Sequence, residues 1–213
     1  MKLFVKRNLN KLREAILKAD LALLKKQLNK VTTEQLNAPL FATPAGNISA
    51  TELAIIHQQP KVLEQLLRVG ADSNQLSSQQ LPLLYLALQQ PQQSLALISA
   101  LLQNGYEYSF IADADNLPDT TLLACFEYCA DNDLMLHISR LVEHGADINM
   151  VGLNGCSPLQ KALQKEQLSL IQLMIQSGAE LPDEIPQSWC SETTANYARR
   201  CAEDLRIRKL MMG

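Results

Sequence analysis

Thiol and imidazole side chains are the most reactive groups in this sequence, and their spacing decides whether they could act together. Cys125 and Cys129 stand at positions i and i+4 of a stretch with helical periodicity, so both thiols fall on one side of a helix. With His137 they suggest a metal site, but a zinc site needs about four converging ligands. No fourth residue has a suitable spacing. We therefore predict no metal site and no cofactor, and interpret the cysteines as packed helix residues.

Two acidic segments and the pattern of glycines are the next features that could indicate a metal site or a catalytic site. Residues 113–116 (DADN) and 131–133 (DND) look like fragments of calcium-binding loops, but both lack the glycine at the sixth place and the glutamate at the twelfth. The sequence contains neither a phosphate-binding glycine-rich loop nor a G-x-S-x-G nucleophile motif. We predict that the protein is not an enzyme. The alternative is a regulatory subunit of an enzyme, or a weak hydrolase with Cys125 as its nucleophile.

The formal net charge of −3 conceals three regions of different sign. Residues 1–30 carry nine basic and two acidic side chains, residues 31–198 carry five and eighteen, and residues 199–213 carry five and two. Basic ends around an acidic middle argue against a nucleic-acid surface along the whole length and allow an acidic face that meets a basic protein partner. We predict that the protein is a monomer. One alternative is that the charges only solvate exposed faces. Another is self-assembly, in which the basic ends meet the acidic middle of a second copy.

The composition predicts a folded protein outside the membrane. Hydrophobic residues make up 47% of the chain, which is ample for a core, yet no apolar run reaches the roughly 18 residues of a membrane span. Charges at Lys6, Arg7, Lys11 and Arg13 interrupt any signal-peptide core. The five cysteines lack the close spacing of a disulfide scaffold. These features predict a cytoplasmic protein, or one exported without a cleavable signal.

Residues 143–180 contain the clearest structural unit, which two copies of one stop signal bracket. Gly145-Ala146-Asp147 precedes the unit and Gly178-Ala179-Glu180 ends it, because glycine readily adopts the left-handed conformation that stops a helix. Between them, Ser157-Pro158 predicts a helix start with a hydroxyl cap, and Gln160 would complete a capping box. The segment therefore predicts two short helices joined by a turn.

This unit resembles an ankyrin repeat. The family pattern is G-x-T-P-L-H-x-A followed by a second helix ending in L-L-x-x-G-A-D, and the residues that carry it are Asn154, Gly155, Ser157-Pro158-Leu159, Ala162 and Gly178-Ala179. Gln160 replaces the family's histidine, so the link that this histidine makes to the neighbouring hairpin is absent. The resemblance implies stacked helix pairs whose concave side and hairpin fingers bind a protein.

The same stop signals recur along the chain. Stop glycines at 70, 105, 145 and 178 lie 35, 40 and 33 residues apart, near the family's period of about 33. We predict an all-α, ankyrin-like helical-repeat solenoid with terminal capping helices. Ser49 and Glu52 predict a second capping box. The predicted domain spans residues 1–190, in units of approximately 3–37, 38–74, 75–110, 111–149 and 150–181, and the C-terminal capping helix spans 191–213.

The resemblance also assigns the surface that would hold the partner. In ankyrin-like stacks the fifth and ninth places of each first helix point into the concave groove. The fifth places are Leu53, Tyr85, Ala124 and Lys161, and the ninth places are His57, Gln89, Tyr128 and Lys165. From these we select Tyr85, Gln89, Tyr128, Lys161 and Lys165 as contacts, and add from one finger Tyr106, Tyr108, Phe110, Asp113 and Asp115. Tyrosine gives a large contact area at low entropic cost, and nearby acids suit an arginine-rich partner. The alternative is that each tyrosine packs on its own repeat.

Overall fold

The computed structural model describes residues 2–44, 46–108 and 120–212, and the side chains from residue 6 onward within these ranges. Contacts within the chain divide it into two compact units, unit 1 (Met1–Glu107) and unit 2 (Tyr108–Gly213). Each unit is built from short helices that pair and stack. The predicted all-α repeat architecture is confirmed in both.

The described part of unit 1 contains three helix pairs, one short extra helix (α3) and a short hairpin. Its elements are α1 (Lys2–Leu17), α2 (Leu21–Leu28), α3 (Thr33–Asn37), β1 (Phe41–Thr43), β2 (Gly46–Ile48), α4 (Ala50–Ile56), α5 (Pro60–Arg68), α6 (Leu83–Leu88) and α7 (Ser94–Gln103). The two strands are antiparallel, with Phe41 opposite Ile48. The helices pair as α1 with α2, α4 with α5, and α6 with α7, and each pair packs on the next. A single pair cannot cover its own apolar side, so stacking creates the core.

Unit 2 repeats this arrangement with two pairs and one long final helix. Its elements are α8 (Thr121–Tyr128), α9 (Asp131–Glu143), α10 (Pro158–Gln164), α11 (Leu168–Gln176) and α12 (Glu192–Met212). α8 packs on α9 and α10 on α11, while α10 also contacts α8 and α11 contacts α9. α12 covers α11 and buries the small side chains of Thr194, Ala195 and Ala198 there. This is the packing expected of a terminal capping helix.

The helix boundaries follow the predicted signals closely. Gly145 and Gly178 have φ of +93° and +100°, and the stop glycines of unit 1 are left-handed too. Ser157 caps α10 by accepting a hydrogen bond from the Gln160 N–H at 3.1 Å, and Ser49 accepts one from the Glu52 N–H at 3.2 Å.

The reciprocal half of both predicted capping boxes is missing from the described part of the chain. Glu52 instead turns its buried carboxylate towards Ser78, whose N–H and hydroxyl donate to it at 3.1 and 2.5 Å. The complete capping box is at Thr32 and Gln35, at the start of α3. Neither this helix nor its cap was predicted from the sequence.

Candidate functional site

The fifth place of the first helix is closed to solvent in three of the four repeats considered. Leu53, Tyr85 and Ala124 are buried, and the exposed fraction of Tyr85 is 0%. The reason lies in the sequence of α6, LLYLAL, which is apolar on every side and is buried at all six residues. Tyr85 is therefore a core residue of unit 1, and its assignment as an accessible partner contact is wrong. Lys161, at the fifth place of α10, is half-buried.

The ninth place stays accessible because it lies where the first helix ends. His57 and Gln89 are exposed at the C-caps of α4 and α6. In unit 2, Tyr128 is half-buried at the end of α8 and Lys165 is exposed at the C-cap of α10. These residues could reach a partner, as could Lys161, whereas the buried residues of the fifth place could not.

Lys165 already has a partner within the chain. Its Nζ donates to Asp131 Oδ1 at 2.7 Å, which ties the end of α10 to the start of α9. The hydrogen bond and charge of Lys165 hold the pKa of Asp131 below its ordinary value. Any protein that contacts Lys165 would meet this ion pair and not a free ammonium group.

Two of the finger residues selected from the sequence pack on the protein itself. Tyr106 is buried in unit 1, with 8% exposed. Tyr108 is half-buried in unit 2, where its hydroxyl donates to the Leu141 carbonyl oxygen at 2.9 Å. Neither offers the open aromatic face that the prediction required. The remaining three selected residues, Phe110, Asp113 and Asp115, lie outside the described residues.

Exposed aliphatic side chains occupy the fingers in both units and were not predicted as contacts from the sequence. In unit 1 they are Leu40 and Leu76, with 43% and 54% exposed. In unit 2 they are Met150, Val151 and Leu153, with 37%, 51% and 70% exposed, and these three are close together in the sequence. We call these five residues the finger aliphatics. A contiguous apolar patch on a surface commonly marks an interaction site.

Comparison with known proteins identifies the kind of repeat. Residues 124–175 match the family model for ankyrin repeats (many copies). This chain contains ankyrin repeats. No curated protein matches the chain.

Solved ankyrin repeat domains share the fold over nearly the whole chain. The ankyrin repeat domain of Bcl-3, a member of the IkappaB protein family, has a TM-score of 0.61 at 22% identity, covering 92% of this chain and 84% of its own. An ankyrin repeat domain from Acinetobacter baumannii AYE has a TM-score of 0.62 at 19% identity, covering 91% and 94%. Ankyrin repeat domains are generally protein–protein interaction modules.

The ankyrin repeats of unit 2 enclose the thiol considered above as a nucleophile. Cys125 is fully buried, and this burial raises the pKa of its thiol well above the ordinary value, with Cys129 adding to the shift. A neutral thiol inside a core is a poor nucleophile. His137 is also buried, and its Nδ1 lies 2.8 Å from the Asp133 carbonyl oxygen of its own helix. Within residues 2–44, 46–108 and 120–212, no three His, Cys, Asp or Glu side chains converge as metal ligands would.

One pattern in the sequence could have located the finger aliphatics. Two stop signals extend to Gly-Ala-Asp-x-Asn, ending at Asn74 and Asn149. Leu76 and Val151 each stand two residues after that asparagine. The shared offset places an aliphatic residue at the same point of two ankyrin fingers.

Among the described helices, none combines the length and apolar character needed to cross a bilayer.

Proposed function

We propose that this protein is a binding module, acting as an adaptor, inhibitor or regulatory partner, and that it holds a protein through the finger aliphatics. The observation that carries the proposal is the contrast in exposure. The tyrosines Tyr85 and Tyr106 are buried, whereas Leu76, Val151 and Leu153 each expose more than half of their surface. Burying a fully exposed side chain of this kind contributes about 1.5–3 kcal/mol, so covering the exposed half of each one contributes about 1 kcal/mol.

Within each unit, the accessible ninth-place residue would add a polar contact to those of that unit's finger aliphatics. Gln89 in unit 1 and Lys165 in unit 2 are exposed, and such peripheral contacts mainly give specificity while central apolar anchors give affinity. The acidic balance of residues 31–198 favours a partner with a basic rim around an apolar centre. We propose that the chain binds this partner as a monomer.

The experiment compares two variants of unit 2 in affinity capture from source-cell extract with quantitative mass spectrometry. The test variant is Val151→Asp with Leu153→Asp, which places charges on the finger. The control is Leu136→Asp, because Leu136 is 58% exposed but lies on helix α9 and not on a finger. We expect a specific protein that the wild type and the control retain and the finger variant loses.

A purified candidate should then bind the wild type and Leu136→Asp equally, and the finger variant at least about tenfold more weakly. Equal recovery by all three proteins would contradict the finger surface. Light scattering of the free protein measures its oligomeric state. A dimer at the concentration used for the binding measurement would contradict the proposal that the chain binds as a monomer.

A further inference from the structure

The three inter-helix turns of unit 1 line an open groove that the finger surface does not use. Its volume is about 480 Å³, within the usual range of ligand sites, roughly 300–1,000 Å³. We call it the turn groove. Its lining residues are Ala19 and Leu21 from the α1–α2 turn, His57, Gln58, Gln59, Pro60 and Lys61 from the α4–α5 turn, and Gln92 and Gln93 before α7.

Glutamine amides dominate the polar part of the turn groove. Gln58 Oε1 accepts from the Gln92 N–H at 3.0 Å, which joins two of the turns and leaves the Gln58 amide nitrogen as a donor. Gln59 and Gln93 add two further amides, each with a donor and an acceptor, and Lys61 adds an ammonium group. No carboxylate belongs to the lining that the structure describes, although the exposed Asp20 stands between the two lining residues of the α1–α2 turn. The lining itself therefore presents the positive charge of Lys61 together with several amide donors.

A basic helix pair borders the groove through Ala19 and Leu21. Helices α1 and α2 expose five cations that form no ion pair in the described part of the chain: Lys6, Lys11, Arg13, Lys25 and Lys26. Two acids accompany them. Glu14 pairs with Lys18 at 2.7 Å, whereas the Asp20 carboxylate accepts from the Leu23 N–H at 2.9 Å, a hydrogen bond that does not cancel its charge. Cations still outnumber acids on α1, α2 and the turn between them, so the helix pair that borders the groove is positively charged.

We propose that the turn groove binds an acidic polypeptide segment. Carboxylates of the segment would meet Lys61 and the cations of α1 and α2, while glutamine amides donate to carboxylate and backbone oxygens. Opposite charges accelerate such an encounter and fix its register. The apolar side chains of Leu21 and Pro60 cover the aliphatic parts of the bound segment. This site is separate from the finger aliphatics and does not depend on them.

Fluorescence anisotropy tests the proposal with a fluorescein-labelled peptide of alternating glutamate and glycine. The wild type should bind it, and binding should weaken as salt is added. Lys61→Glu should weaken binding about tenfold. Gln59→Trp should also weaken it, because the larger ring fills the groove without a change of charge. Circular dichroism checks that both variants remain folded.

Lys30→Glu is the matched control, since Lys30 is exposed but lies beyond the far end of α2 from Leu21. We expect it to change the affinity less than about twofold. Equal losses in Lys61→Glu and Lys30→Glu would overturn the proposal, because general charge attraction would then explain the binding. Failure of the glutamate peptide to bind would also overturn it, as would tighter binding of labelled oligothymidine or of phosphatidylserine vesicles. Val151→Asp with Leu153→Asp should bind the peptide normally, so this test is independent of the finger surface.

Discussion

The side-chain amide nitrogen of Asn149 donates a hydrogen bond to the carbonyl oxygen of Gly178, 3.0 Å away. The Glu180 N–H returns a bond to Asn149 Oδ1 at 2.8 Å, so one amide ties a finger to the end of the following helix pair. Unit 1 repeats this arrangement with Asn74, which donates to the Gly105 carbonyl oxygen at 3.1 Å and accepts from the Glu107 N–H at 2.8 Å. The stop glycine therefore ends one repeat and also anchors the finger of the previous repeat.

We expect Asn149→Ala to lower the free energy of unfolding by about 1–3 kcal/mol, because it removes both bonds and leaves two backbone groups without their partner. Urea unfolding followed by the fluorescence of Trp189, the chain's single tryptophan, measures the loss within unit 2. Asn132→Ala is the control, since Asn132 is exposed on α9 and its removal should cost less than about 0.5 kcal/mol. Similar losses of unfolding free energy in both variants would show that the two hydrogen bonds of Asn149 stabilise the protein no more than an exposed asparagine does.

The stop glycines were predictable from the sequence, but the turns between paired helices were not. Ala19, Gln58, Gln93 and Glu166 occupy these turns with φ between +51° and +55°, where glycine or asparagine is usual. These residue types therefore give no indication in the sequence that the backbone is left-handed at these positions. At two of these turns the side chain reaches the next repeat: Gln58 accepts from the Gln92 N–H, and Glu166 accepts from the Ser191 N–H at 2.6 Å.

This contrast predicts opposite outcomes for two glycine substitutions. Ala19→Gly should raise the free energy of unfolding by about 0.5–1 kcal/mol, because the relief of left-handed strain exceeds the added entropy of the unfolded chain. Glu166→Gly should bring no gain, since it also removes the carboxylate that caps the start of α12. Thermal and urea unfolding by circular dichroism compare both variants with the wild type. Equal stabilisation of the two would show that the Glu166 bond is unimportant.

The helical stacking and its boundaries were more predictable than the candidate binding surface. Hydrophobic periodicity and the stop glycines suffice to place α10 and α11, because both signals are local. The exposure of Tyr85 depends on what surrounds α6, and a helix apolar on every side gives no directional signal. Leu76 and Val151 were missed for the opposite reason. In the sequence each looks like an ordinary aliphatic residue, and only the structure shows that about half of its surface stays exposed.

The ion pair of Lys165 and Asp131 makes part of the stability of unit 2 dependent on pH. Lys165 lowers the pKa of Asp131 in the folded protein from its reference value of 3.8. When a carboxyl group has a lower pKa in the folded than in the unfolded protein, its contribution to the free energy of unfolding is fully present above the unfolded pKa. It is lost as the pH falls through the folded pKa. Both side chains are partly exposed, at 35% and 61%, so salt should weaken the interaction.

We therefore expect Asp131→Asn to have a lower free energy of unfolding than the wild type at neutral pH. This difference should stay constant down to about pH 4 and shrink at lower pH. Urea titrations at several pH values, followed by Trp189 fluorescence, measure this difference, and about 1 M sodium chloride should reduce it. Asp133→Asn is the control, because Asp133 is an exposed carboxylate in the same first turn of α9 and forms no ion pair among the described residues. A difference for Asp131→Asn that persists unchanged as the pH falls from about 4 towards 2 would contradict this account, since the wild-type contribution must begin to fall once the pH drops below the unfolded pKa.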